Sequence, residues 1–345
     1  MPSLTRREFI KVGAATLAAS ALIPPARVLG NTFLPEGLLP MGRITKNSVP
    51  VRQSPSLSAH EIKSLWEDAI IPLQEVTLGD DAPAHNRVWY RLGDGGYVHS
   101  GSVQPVEIRT HTPEAVIPDP GCLGEITVPY TDAVWYPPLP HLVAYRLYYG
   151  TTHWIIGSVV DKTGKTWYHI REDQFHFHYY VDARHVYLFN PAELQPLSPD
   201  VPAEDKRIEV HLESQVVVAY EKDRPVFMSK ASTGTRFRNG VFLTPTGDFT
   251  TYHKRPSRHM TSGNLAHPNS YDLPGVPWIC YIDENGVAFH GTYWHNDFGR
   301  PLSHGCINLP SPAARWLYQW STPCVPTDVE WVYKNSGTRV TITID

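Results

Sequence analysis

Thirty-two prolines interrupt the 345 residues of this chain, near twice the usual share of about 5%. A proline in a helix interior removes a backbone hydrogen bond and clashes with the turn before it. Long helices are therefore excluded over most of the length, and the fold is expected to be mainly β. Hydrophobic residues make up 41% of the chain, with 10 Trp and 18 Tyr, which supplies packed cores and excludes a disordered polymer. The length suits two or three domains. Thirty basic residues stand against 34 acidic ones. There is no basic field to neutralise a phosphate backbone, so nucleic acid is not an expected partner. Four cysteines are too few for a disulfide scaffold of this size.

Residues 1–30 read as an address. Arg6, Arg7, Phe9 and Lys11 precede the mild apolar run Val12–Ile23. As a helix that run spans roughly 18 Å, against about 30 Å of bilayer hydrocarbon, so it suits an export signal better than a membrane span. The Arg6-Arg7 pair in this setting resembles a twin-arginine signal peptide. That places the working protein in the periplasm or at the cell wall. Cleavage after Gly30 and retention as an uncleaved anchor are both open. No later stretch reaches 18 consecutive apolar residues, so no stable membrane span is expected in the mature form. Residues 31–47 read as a Gly/Pro-rich linker.

From residue 48 the texture is that of short strands between turns. Val88, Trp89, Tyr90 and Leu92 run into Gly93-Asp94-Gly95-Gly96, and Tyr97-Val98-His99 follow, as a small antiparallel barrel requires. Residues 48–106 resemble a bacterial SH3-like domain. The run Trp89–Val106 is echoed by Trp167–Phe189, which suggests a second, divergent SH3-like domain over 120–198. Either module is a structural spacer or a binder of cell-wall peptides. The stretch Pro191–Pro202 reads as a stiff linker.

Residues 206–345 form a third, β-rich region. Ile208, Val210 and Leu212 alternate with polar residues, and Val216–Tyr220 is separated from Pro225–Met228 by the polar break Glu221–Arg224, a hairpin pattern. Further strands are expected at 278–282, 286–290 and 338–344. One short helix is expected at Pro312–Gln319, started by Ser311 with Pro in its first turn.

The chemistry concentrates between 290 and 308. A strand delivers His290 at its end, and a polar loop returns the chain to the turn Ser303-His304-Gly305-Cys306-Ile307-Asn308. Gly305 admits backbone geometries closed to other residues and lets amide N–H groups converge on a carbonyl oxygen. A cysteine is a weak nucleophile at its ordinary pKa of about 8.5, and a nearby imidazolium would lower that value and store a thiolate. His290 and His304 are the two candidate imidazoles, and together with Cys306 and Gly305 they suit acyl transfer through a thioester. Two other readings stand beside it. Cys306 is a small buried hydrophobe, or His290, His295, His304 and Cys306 ligate a metal, although no close ligand pair of the structural-zinc kind is present. No paired glycosidase carboxylates and no Gly-rich phosphate loop are recognisable.

The block Ser303–Asn308, with His290-Gly291-Thr292 upstream, closely resembles the active-site signature of the YkuD-type L,D-transpeptidases. Ala231-Ser232-Thr233-Gly234, Thr244-Pro245-Thr246-Gly247-Asp248-Phe249, Gly275–Trp278 and Gly337–Ile342 resemble further motifs of that family in the same order. The resemblance implies that Cys306 attacks the third-residue carbonyl of a peptidoglycan stem tetrapeptide, expels D-Ala and forms a thioester, which a neighbouring stem amine resolves into a 3→3 cross-link. His290 would be the general base. Because Gly291 follows it, only a backbone carbonyl could orient the imidazole from that position. The Gly305 and Cys306 amides would form the oxyanion hole. Ser303 and His304 would brace the turn or meet substrate, and Asn308 stands where many relatives carry Arg. The same resemblance implies acylation by carbapenem-type β-lactams and no cofactor or metal. A carboxypeptidase or endopeptidase with water as acceptor, and a non-catalytic wall-binding protein, are the alternatives.

A few other residues attract attention. Trp278, Tyr293 and Trp294 line a substrate groove or, for Trp278, pack in the core. His176 and His178 would share a strand face without an evident third ligand. Cys280 and Cys324 are a candidate disulfide pair.

Overall fold

The computed structural model describes residues 41–237, 240–261 and 270–345. The expected signal peptide and its expected cleavage site lie outside them. Among the described residues no helix is long and apolar enough to cross a membrane.

The first unit contains β1 (Met41–Ile44), β2 (Ser48–Arg52), β3 (Glu61–Trp66), β4 (Ile70–Leu78), β5 (Val88–Leu92), β6 (Tyr97–His99) and β7 (Val103–Val106), in the sheet order β3-β2-β6-β5-β4-β1-β7. The second contains β8 (Cys122–Ile126), β9 (Tyr130–Val134), β10 (Val143–Tyr148), β11 (Thr152–Val160), β12 (Thr166–Arg171), β13 (His178–Asp182) and β14 (Val186–Leu188), in the order β10-β9-β13-β12-β11-β8-β14. Adding seven to each strand number of the first order gives the second, so the two units share one topology. In both, a single 3₁₀ turn leads into the last strand. It is Ser100–Ser102, capped by the His99 side chain, in the first, and Ala183–His185, capped by Asp182, in the second. Trp89 and Trp167 occupy equivalent places on β5 and β12.

Two expectations are corrected here. Neither sheet closes into a barrel, since β3 and β7 end one order and β10 and β14 the other. Nor does the linker run to residue 47. β1 pairs with β4 on one side and β7 on the other, and Ile44 is fully buried.

The C-terminal unit has two five-stranded sheets. One orders β17 (Arg224–Lys230), β16 (Val216–Glu221), β15 (Lys206–His211), β26 (Arg339–Thr343) and β20 (Gly247–Thr250). The other orders β24 (Ile307–Pro310), β23 (Ala288–Thr292), β22 (Asp272–Tyr281), β21 (His253–Thr261) and β25 (Val332–Tyr333). A small hairpin, β18 (Thr235–Phe237) and β19 (Gly240–Phe242), stands apart. Inward residues of both sheets, such as Ile208, Val217, Phe289 and Ile307, meet Ala314 and Leu317 of the helix α1 (Ser311–Trp320) in one core. Ser311 is the first helical residue rather than the cap, which falls on Pro310.

The same core takes in Leu123, Trp154 and Phe189, so the second unit is fused to the C-terminal one by continuous apolar packing. The expected stiff linker is also docked. Asn190 and Glu193 form a reciprocal capping box, Leu194 and Leu197 pack on the core, and the Leu197 amide donates to Gln319 O.

Candidate active site

Strands β23 and β24 run side by side in parallel, with Phe289 opposite Ile307 and His290 opposite Asn308. Side chains alternate between the faces of a sheet. Phe289 and Ile307 point into the main core. Ala288 faces the other way and joins Val276, Ile279 and Tyr293 in a small cluster against which Cys306 packs. The register thus brings Cys306, Ala288 and His290 to one face.

His290 is buried, and its Nδ1–H donates to Gly291 O at 2.9 Å. That bond fixes the tautomer and leaves Nε2 as the proton acceptor. Burial lowers the imidazole to about 4. The half-buried Cys306 thiol donates to Gly286 O at 3.6 Å. Burial pushes it up to about 11, with an Ala288 backbone hydrogen bond pulling weakly the other way. Burial thus favours the neutral thiol and the neutral imidazole over the stored thiolate–imidazolium expected from the pattern, because both groups sit where charge is poorly solvated.

The turn before the thiol is held from three sides. Gly305 has φ +112°, open to glycine without strain. Its carbonyl accepts from Thr244 Oγ1 at 2.7 Å, and Thr244 Oγ1 itself accepts from the Gly234 amide at 2.8 Å. Ser303 Oγ donates to Cys306 O and accepts from the Gly305 amide at 3.2 Å. Gly305 N–H is thus turned into its own loop in this resting geometry, which departs from the expectation of two convergent amides. His304 is exposed and stacks on Phe237 at 4.4 Å, with Phe242 edge-on at 4.7 Å, so it ties the turn to the β18–β19 hairpin.

Other expected site residues are placed elsewhere. Trp278 is 1% exposed, between Phe189 and Tyr318. It belongs to the core and lines no groove. Asn308 is 2% exposed, its side-chain amide 3.2 Å from His295 Nε2, so it braces the interior instead of meeting substrate. Tyr293 is buried also, whereas Trp294 is half-buried with its ring 5.7 Å from His290. Among the described residues no group of three or more His, Cys, Asp or Glu is arranged to hold a metal. His176 has φ +58° and precedes β13, so it does not share a strand face with His178, whose Nδ1 lies 2.8 Å from His169 Nε2. Cys280 and Cys324 are both free thiols. Thr244, Tyr271 and Tyr281 were not singled out by their own chemistry. Burial pushes both phenols up, with Arg258 and Arg255 opposing it at Tyr281.

Comparison with known proteins finds a family likeness in this unit. Residues 205–342 match the YkuD family, the L,D-transpeptidase catalytic domain. Residues 205–342 are thus similar to an L,D-transpeptidase catalytic domain. Among solved structures, an L,D-transpeptidase from Mycobacterium smegmatis is 20% identical, with 53% of this chain and 79% of that one covered and a TM-score of 0.33. An Enterococcus faecium L,D-transpeptidase is 24% identical over 40% of this chain and 50% of that one, TM-score 0.31. Its catalytic domain acylated by ertapenem is 27% identical over 40% and 97%, TM-score 0.30. The chain thus spans about half the length of the E. faecium enzyme. Among curated proteins none matches.

Proposed function

We propose that the chain is an exported peptidoglycan L,D-transpeptidase that works through a Cys306 thioester. The observation that carries this reading is the β23–β24 pairing, which sets the thiol and an imidazole of fixed tautomer on one face. As Sγ attacks the third-residue carbonyl of a stem tetrapeptide, the thiol proton passes to His290 Nε2. The C–N bond to the terminal D-Ala breaks, and the proton leaves with its amine. An amine of a second stem then attacks the thioester, gives its proton to His290, and a 3→3 cross-link forms as the thiolate departs and is reprotonated. The Cys306 amide is the donor assigned to the developing oxyanion in this reading. A β-lactam carbonyl fits the first half of the same sequence, so ertapenem is expected to acylate Cys306.

Disaccharide-tetrapeptide muropeptides incubated with the wild type and Cys306→Ala, and read by mass spectrometry, test this. Dimers lacking one D-Ala, made only by the wild type, are expected. Tripeptide monomers alone would make water the acceptor and the activity that of a carboxypeptidase. No Cys306-dependent product would refute the reading and leave wall binding as the role.

A further inference from the structure

The loop from His290 to the Ser303–Cys306 turn is held at two points by the first unit. Arg43, on β1 and 2% exposed, donates from Nη2 to Tyr293 O at 2.6 Å. Three further bonds run from the same guanidinium to Asp68 at 2.9 Å and Gln104 at 2.8 and 3.0 Å. Gln104 in turn donates to Tyr149 O at 2.9 Å, and the guanidinium lies 4.1 Å from the Tyr148 ring, which stacks on Tyr293. All three units meet at this one arginine.

The second grip is at Asn296 and Asp297. The Asn296 amide donates to Gly101 O at 3.3 Å, and its side chain to Ser100 O at 3.4 Å. Asp297 Oδ1 takes His85 Nε2 at 3.0 Å and Asn86 Nδ2 at 3.3 Å. The fit is close enough that a Cβ on Gly101 would lie 2.5 Å from that oxygen.

Between the two grips lie Trp294, whose ring faces His290 at 5.7 Å, and His295, packed against Asn308. Asn308 is the strand partner of His290. The segment that surrounds the imidazole is therefore shaped by residues more than 190 positions earlier in the chain.

We propose that the first unit is a positioning element of the active site, holding residues 293–297 so that Trp294 and His295 fix the placement of His290. This rests on Cys306 and His290 being the reacting pair. It differs from both roles considered for the module, spacer and wall binder, since neither requires contact with the catalytic loop. Arg43, His85 and Asn86 are positioning residues that reach the reaction only through that loop.

The test is saturable acylation of the full chain by ertapenem, followed by intact mass, in the wild type, His85→Ala and His85→Gln. Loss of a grip on a loop beside the reacting groups is expected to slow the saturating rate about tenfold, as small displacements do. The half-saturating concentration should stay within about twofold, since no contact to the ligand is removed. His85→Gln keeps a donor for Asp297 and should restore most of the rate. Thermal melting of all three proteins accompanies the kinetics. A reactive wild type with an equally fast His85→Ala overturns the proposal alone. So does a slow His85→Ala whose loss follows its melting temperature and is not rescued by Gln. A wild type whose Cys306, located by peptide mapping apart from the exposed Cys324, is inert to both ertapenem and iodoacetamide refutes the reactive Cys306, and the proposal falls with it.

Discussion

Cys306 and His290 both sit where water is scarce, and that scarcity acts in opposite directions on their proton affinities. The thiol is pushed up to about 11 and the imidazole down to about 4. Between pH 5 and 9 both are neutral, and the proton moves only as the sulfur attacks. Alkylation of Cys306 by iodoacetamide, which needs the thiolate and is read by peptide mapping apart from the exposed Cys324, should therefore rise about tenfold per pH unit from 6 to 9 without levelling off. A plateau below pH 7 would show instead a stored ion pair. His290→Ala should leave alkylation at pH 9 nearly unchanged, while ertapenem acylation at pH 7 falls about a hundredfold or more through loss of the base. The Nδ1 bond to Gly291 O fits the same picture, for a neutral ring with one proton fixed can only accept at Nε2.

The helix α1 backs the strands that carry this pair, and its C-terminal end is held from below by a buried cation. Lys254 is 0% exposed and donates from Nζ to Tyr318 O at 2.5 Å and Ser321 O at 2.6 Å. A cation there also complements the helix dipole. Lys254→Met keeps the bulk but strands two carbonyls, which should cost about 2–3 kcal/mol in urea unfolding. An unchanged midpoint would mean that the carbonyls find other donors. Elements of this unit were legible because their signals are local. The alternation at 206–220 and the Pro-started helix give β15, β16 and α1 within a residue or two, and the Ser303–Asn308 block marks the turn. What escaped is non-local. Met41–Ile44 is too short to display an alternation, and Arg43 finds Tyr293 O across 250 positions. Trp278 sits in a strand whose two faces look alike in sequence, so only the observed packing assigns it to the core. The neutral resting pair also depends on burial, which the spacing of Cys306 and His290 does not encode.

At the scale of the whole molecule, the second unit and the C-terminal one share a buried polar seam beside their common core. Asp173 pairs with Arg255 at 2.6 Å and Arg258 at 2.7 Å, and His259 lies between Glu172, at 2.8 Å, and Asp272. Burial alone would lower His259, but the two carboxylates outweigh it and hold its pKa above the usual histidine value. Burial likewise pushes Glu172 up, yet bonds from His259 and from the Phe175 and Gln174 amides bring it down on balance. The signs follow from linkage. A histidine raised on folding stabilises fully below its unfolded pKa, about 6.5, and that contribution is lost as pH climbs through the folded value. A glutamate lowered on folding stabilises above about 4.3 and loses its contribution as pH falls through the folded value. The seam is therefore strongest between about pH 5 and 6.5 and weakens toward pH 8. Melting temperatures of the wild type and His259→Gln across pH 5–8 isolate the effect. Glutamine keeps hydrogen bonding but carries no charge, so the gap between the two proteins should be widest near pH 5.5 and shrink toward pH 8. A gap that stays constant with pH would remove the protonated His259 from the seam and leave the apolar packing of Leu123, Trp154 and Phe189 as what joins the units.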